Sequence, residues 1–391
     1  MKRLLVFIVS VLAMGSAGAQ VLPTRDVGWV FAESELQRFP EAWQLDHGTR
    51  LFFGYSQGVG CKAMLGLWKA SGDDRFLRYV EQWTDTLIGD DGSILRYEPE
   101  AYNLDFINSG KVLFDIYRVT GNEKYRRAMD RLIRQLTYQP RTCDGGYWHK
   151  LIYPHQMWLD GIYMASPFMA QYGRTFDQPQ WVDEAVRQIT LCHTHTYDAA
   201  TGLYHHGYDE SRQQRWADDR TGCSPTFWGR SIGWWFMALV DALEFIPADH
   251  EGYERIHGYL TNLAVVLTRY QDSDGLWWQV LDEPGREGNY AEASVSAQLM
   301  YAYARGVQQG LLDDAFLPVA RKAYDGICRQ LMRRNDDGTL SLTHCCQVGG
   351  LGGKPYRDGS YDYYIHEKVR DDDAKATGPF ILGFLELMKT E

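Results

Sequence analysis

Residues 144–172 read DGGYWHKLIYPHQMWLDGIYMASPFMAQY, and the fold follows from how this one stretch divides. Asp144-Gly145 is a turn signal leading into the short aromatic run Tyr147-Trp148. From 161 to 172 the chain is apolar nearly all round and rich in small residues, as a helix buried on every side should be. The same order of events recurs. Asp91-Gly92, Thr201-Gly202, Asp274-Gly275 and Asp337-Gly338 lead on to helices of the same kind over 109–117, 230–245, 293–306 and 378–388. A sixth, 57–69, precedes the first turn. Each turn also follows an aromatic-led segment with apolar residues at intervals of three and four: 76–87, 125–136, 181–191, 253–267 and 316–331.

Helical hairpins at such a period either stack into an open superhelix or close into a ring. Six buried helices with partly polar partners, unevenly spaced and interrupted by aromatic, glycine-rich inserts, predict closure. The expected fold is all-α, an (α/α)6 barrel, as one domain over residues 20–391. In such a barrel the inner helices run parallel, so their N-termini share one mouth. Asp105, Asp160, Arg230 and Glu292 all lie at or just before these starts, where the positive ends of several helix dipoles favour an anionic ligand.

Residues 1–19 read as a secretory leader: Lys2 and Arg3, a short apolar run from Leu4 to Met14, and Ala17-Gly18-Ala19 before Gln20. The first cysteine is Cys61, so no lipid attachment is expected at the cleavage site, and the expected location is periplasmic or secreted. The net charge of −11, more negative once the leader is removed, argues against nucleic acid or an anionic membrane as partner. Seven cysteines show no zinc-site spacing. Thirteen Trp and 25 Tyr exceed what a core needs, and surplus flat side chains in an exported protein suit sugar rings.

Asp160 is a carboxylate among apolar and aromatic neighbours, and two readings stand: an N-cap for the helix that follows, or a group kept for chemistry. Asp105 has the same ambiguity. His149, Lys150 and His206 recur on equivalent turns at the same end of the repeat, whereas His193 and His195 precede the turn and look incidental. Arg230, among Trp228, Trp234 and Trp235, reads either as half of a structural ion pair or as a grip for a carboxylate, with Trp228 or Trp234 facing a sugar. There is no His-Glu-x-x-His motif, and the glycine run at 349–353 lacks a P-loop ending, so no metal and no nucleotide cofactor is expected.

Taken in order, several segments resemble glycoside hydrolase family 105, the unsaturated rhamnogalacturonyl hydrolases. They are Asn103-Leu104-Asp105, Tyr147-Trp148-His149-Lys150, Gln156-Met157-Trp158-Leu159-Asp160-Gly161, Tyr204-His205-His206-Gly207, Phe227-Trp228-Gly229-Arg230, Gly275-Leu276-Trp277-Trp278, and the loop from Gly350 to Ser360. The resemblance implies action on the Δ4,5-unsaturated uronic acid that polysaccharide lyases leave at a non-reducing end. It implies Asp160 as general acid/base, Asp105 as companion carboxylate, and Lys150, Trp158, His206, Trp228, Arg230 and Trp234 in the substrate pocket. His205 stands where the family often has an aromatic. The implied reaction has protonated Asp160 deliver its proton to C4 of the enol ether and then help water add at C5, so a raised Asp160 pKa is expected. Rival readings are unsaturated glucuronyl hydrolysis of arabinogalactan or ulvan fragments, a polysaccharide lyase, and a periplasmic sugar-binding repeat protein without catalysis.

Overall fold

The computed structural model describes residues 24–390, and the expected leader lies outside them. The helices in chain order are α1 Thr24–Arg38, α2 Tyr55–Ser71, α3 Asp74–Leu87, α4 Asp105–Asn108, α5 Gly110–Thr120, α6 Glu123–Thr137 and α7 Leu159–Thr175. They continue as α8 Gln180–Thr196, α9 Gly229–Leu243, α10 Tyr253–Thr268, α11 Ala293–Gln308, α12 Leu317–Gly326, α13 Tyr361–Ile365 and α14 Ala374–Met388. The inner helices α2, α5, α7, α9, α11 and α14 touch in that order, and α14 returns to pack on α2, closing the ring. Their partners α3, α6, α8, α10, α12 and α1 lie outside.

Burial separates the two sets as the sequence pattern predicts. Every residue of α9 is buried, whereas α3 buries one face through Phe76, Tyr79, Val80, Trp83 and Leu87. Inner helix hands over to outer helix through a compact signal. Gly121, at φ 64°, ends α5, and the next residue, Asn122, caps α6 by accepting from the Lys124 N–H at 3.0 Å. Such a cap stabilises a helix by about 1 kcal/mol. The return turns behave alike: the glycines of all five predicted turns have positive φ, which a side chain with a Cβ rarely adopts.

Three departures from the sequence reading matter. The first is that α1 was not expected. It packs outside α14 and buries Val27, Phe31 and Ala32, with the Phe31 ring against Phe380 at 5.2 Å. The inner helix expected from 109 is broken just before its start, with α4 set off from α5 at Ser109. Short strands also appear: Gln156–Trp158 (β1) pairs antiparallel with Gly207–Asp209 (β2). Further along the chain lie β3 Met332–Arg334, β4 Leu340–Leu342, β5 Cys345–Cys346 and β6 Val369–Arg370. All seven cysteines are free. Among the described residues no helix is long and apolar enough to cross a membrane.

Candidate active site

A repeated backbone bond builds the mouth of the barrel. The N–H of Leu104, before α4, donates to the His149 carbonyl, and that of Leu159, opening α7, donates to the His206 carbonyl. Gly229 of α9 and Ala293 of α11 do the same to Gln279 and His344. These four starts are thus tied to the loop that precedes the next inner helix. The tying residue presents its own side chain beside that start, so Asp105 faces His149 and Asp160 faces His206.

Asp160 is the second residue of α7, whose N-cap position is Trp158, and no side chain caps the helix. The capping reading therefore fails. Asp160 Oδ2 lies 3.0 Å from His206 Nε2, yet the approach is off line, and both buried atoms lack a hydrogen-bond partner. His206 is fully buried, and its Nδ1 lies 2.6 Å from the Tyr364 hydroxyl. An ionised carboxylate can only accept, so a proton on His206 Nε2 is the one that meets Asp160, while Nδ1 pairs with the Tyr364 hydroxyl. Strands β1 and β2 enforce this meeting, because β1 ends two residues before Asp160 and β2 begins one residue after His206.

Burial pushes the Asp160 carboxyl up, but the neighbouring His206, and then His149, outweigh it and hold it below the usual carboxylate value. The raised pKa expected from the implied chemistry is therefore not a property of the free site. An aromatic pocket alone would raise it; the expectation failed because the imidazole at 3.0 Å lies 46 positions away and gives no local signal.

Asp105 opens α4 and also does not cap it. Its carboxylate meets Lys150 Nζ at 2.5 Å and His149 Nε2 at 3.5 Å. Burial drives His149 down to about 4, against the pull of Asp105, so its ring is neutral at neutral pH. His149 stacks on Trp158 at 4.6 Å, and Trp158 stacks in turn on Tyr153 at 4.8 Å. Trp158 and Trp228 flank the His206 ring at 5.2 and 4.8 Å. The result is a small aromatic pocket with two acids, two imidazoles and one ammonium group.

The remaining predicted residues lie deeper. Arg230 is buried and committed: it donates to Ser294 Oγ at 2.8 Å and to the Cys346 carbonyl, and it lies 3.5 Å from Glu292. Glu292 caps α11 by accepting from Val295 N–H. Trp234 lies inside the barrel, stacked on Tyr163 at 4.6 Å. Of the adjacent histidines, His206 meets Asp160, while His205 packs on Phe227. His193 and His195 bond Tyr204 and Asp144 away from the pocket. Tyr364, 158 positions from its partner His206, was missed for want of any motif.

Residues 30–391 match the model described as Glycosyl Hydrolase Family 88. A solved family 105 glycoside hydrolase from C. acetobutylicum ATCC 824 superposes with a TM-score of 0.88 at 37% identity, covering 93% of this chain and 99% of that one. Protein Atu3128 of Agrobacterium fabrum is 43% identical over 229 residues, 57% of this chain and 97% of that protein. The unsaturated rhamnogalacturonyl hydrolase YesR of Bacillus subtilis is 26% identical over 267 residues, 65% of this chain and 73% of that protein.

Proposed function

The chain belongs to the family 88/105 glycoside hydrolases, enzymes of the unsaturated uronyl hydrolase kind, and on that premise we propose that it removes the Δ4,5-unsaturated uronic acid from lyase-generated oligosaccharides with Asp160 as general acid/base. A rhamnogalacturonan disaccharide is the substrate favoured by the similarity to YesR. Unsaturated glucuronides of arabinogalactan or ulvan are the alternative, since both uronates lose their C4 difference once the double bond forms. The expected site of action is the periplasm or the medium.

One observation carries the assignment: a buried Asp160 oxygen faces a buried His206 nitrogen at 3.0 Å without completing a hydrogen bond. In the reaction, the Asp160 proton passes to C4 while the ring oxygen stabilises positive charge at C5. The ionised Asp160 then takes a proton from the water that adds at C5. The resulting hemiketal opens and releases the leaving sugar. His206 holds the carboxylate in place between these two steps.

The lowered pKa of the empty site has to be overcome for the first step. The substrate supplies the means, because its own carboxylate brings a second negative charge into the pocket and so favours protonated Asp160. Asp105 is held differently, by the Lys150 ammonium group at 2.5 Å. The test is Asp160→Asn with turnover followed by loss of the enol-ether ultraviolet absorbance. Activity should fall by about 10²–10⁴-fold, the usual contribution of a positioned acid/base, with the helical fold intact. Near-normal turnover would remove Asp160 from the role.

A further inference from the structure

Pro167 stands inside α7, and a proline has no N–H to give the carbonyl four residues back, which is that of Tyr163. That carbonyl is met from another helix instead. Lys111, the second residue of α5, donates to it from Nζ at 2.6 Å and lies over the Tyr163 ring at 3.5 Å. The same ring stacks on Trp234 of α9 at 4.6 Å. Tyr163 is therefore held by both of the inner helices that flank α7.

The contact joins the two helix starts that carry the acids. Tyr163 lies one turn after Asp160 on α7, and α5 continues, past the break at Ser109, the short helix that opens with Asp105. Neither acid caps its helix, so the backbone of the first turn sets where each side chain begins. At Pro167 the start of α7 loses one of its bonds to the helix body, and Lys111 replaces it with a bond to α5. For folding alone this is a poor choice of residue. Burial, with Lys62 nearby, holds Lys111 well below the ordinary lysine value. The acid whose charge reaches it, Asp241, is occupied by Lys62 at 2.5 Å and by the Tyr301 hydroxyl at 2.7 Å. A buried amine without its own acid costs stability that an apolar side chain would not. What the lysine adds is a hydrogen-bond donor at the end of a long stem, able to span from one inner helix to the next.

We propose that Lys111 is a positioning residue for the reaction: by bonding the Tyr163 carbonyl that Pro167 leaves without a helical donor, it fixes the first turn of α7 against α5 and so sets Asp160 relative to Asp105. It acts through the backbone, with its hydrogen bond going to Tyr163 and not to either acid. The inference rests on the reading of Asp160 as general acid/base above.

The test is a double-mutant cycle of Lys111→Met and Pro167→Ala, reading kcat and KM on an unsaturated uronyl disaccharide with urea unfolding in parallel. Lys111→Met should lower kcat by about ten- to a hundredfold with KM little changed, the effect of a small displacement of the proton donor, while resistance to urea does not fall. Pro167→Ala gives position 167 an N–H for the Tyr163 carbonyl. In that background, Lys111→Met should lower kcat by no more than about twofold. If Lys111→Met alone gives no soluble protein, the double variant decides: soluble and active supports the inference, insoluble or inactive overturns it. An unchanged kcat in Lys111→Met, or the same loss in both backgrounds, also overturns it, and the proposed function stands so long as Asp160→Asn is inactive. Near-normal turnover by Asp160→Asn, or no turnover of unsaturated uronides by wild type, overturns both.

Discussion

Tyr364→Phe isolates the contact that orients His206. The Tyr364 side chain is fully buried, and its ring stacks on Trp228 at 5.4 Å and 14°, so Phe keeps the packing and removes only the hydroxyl. That hydroxyl is 2.6 Å from His206 Nδ1, and His206 is fully buried, so no water replaces it. Leaving one buried ring nitrogen unmatched costs about 1–3 kcal/mol. If the cost falls on the folded state as a whole, chemical denaturation reports it as lost stability. If His206 relieves it by turning its ring, the Nε2 proton leaves Asp160, and the cost appears in turnover instead. The geometry favours the second outcome, because the Asp160–His206 approach is off line and a small ring rotation moves Nε2 away from the carboxylate. A loss of 1–3 kcal/mol in transition-state stabilisation is roughly 5–150-fold in kcat/KM. The assay is the decay of enol-ether absorbance across pH, with denaturation in parallel. A variant with unchanged kcat/KM at every pH and reduced stability would refute the positioning role of Tyr364.

Two further outcomes follow from charge. The limb of kcat/KM against pH reports free enzyme and that of kcat reports the complex. Because His206 and His149 hold free Asp160 below the usual carboxylate value and the substrate anion raises it, the descending limb of kcat/KM should lie at lower pH than that of kcat; coincident limbs would contradict this. Lys111 offers a test remote from the pocket: it is buried, donates to the Tyr163 carbonyl at 2.6 Å and lies over that ring at 3.5 Å. Burial, with Lys62 nearby, holds it well below the ordinary lysine value. The unfolded chain then binds the extra proton, so stability rises with pH between the folded value and about 10.4. Lys111→Met should stabilise by about 1–4 kcal/mol near neutral pH, with the gain shrinking toward pH ~10. Urea denaturation at both ends of that window checks it.

Much of the fold was legible because burial leaves a composition signature: helices enclosed on all sides, such as α9 and α14, cannot carry a polar face. The turn glycines were legible because a positive φ narrows the choice of residue. Asp105, His149, Asp160 and His206 were found because the repeat places them at matching positions. Hidden features were those made by contact alone. Strands of three residues, over 156–158 and 207–209, give no periodicity, yet β1 and β2 bring Asp160 and His206 together. Sequence also leaves Arg230 open between a structural ion pair and a ligand grip, and only the contacts with Glu292 and the Cys346 carbonyl show its commitment. The same holds for the sign of the Asp160 shift, decided by a partner from another repeat.

The central claim is that the double bond is hydrated, with a solvent-derived proton delivered to C4. Running wild-type enzyme on an unsaturated uronyl disaccharide in D2O and reading the product by NMR tests it most directly. The account predicts one deuterium at C4, on a single face, with loss of the enol-ether absorbance. Release of the leaving sugar with C4 unlabelled and the double bond intact would contradict it.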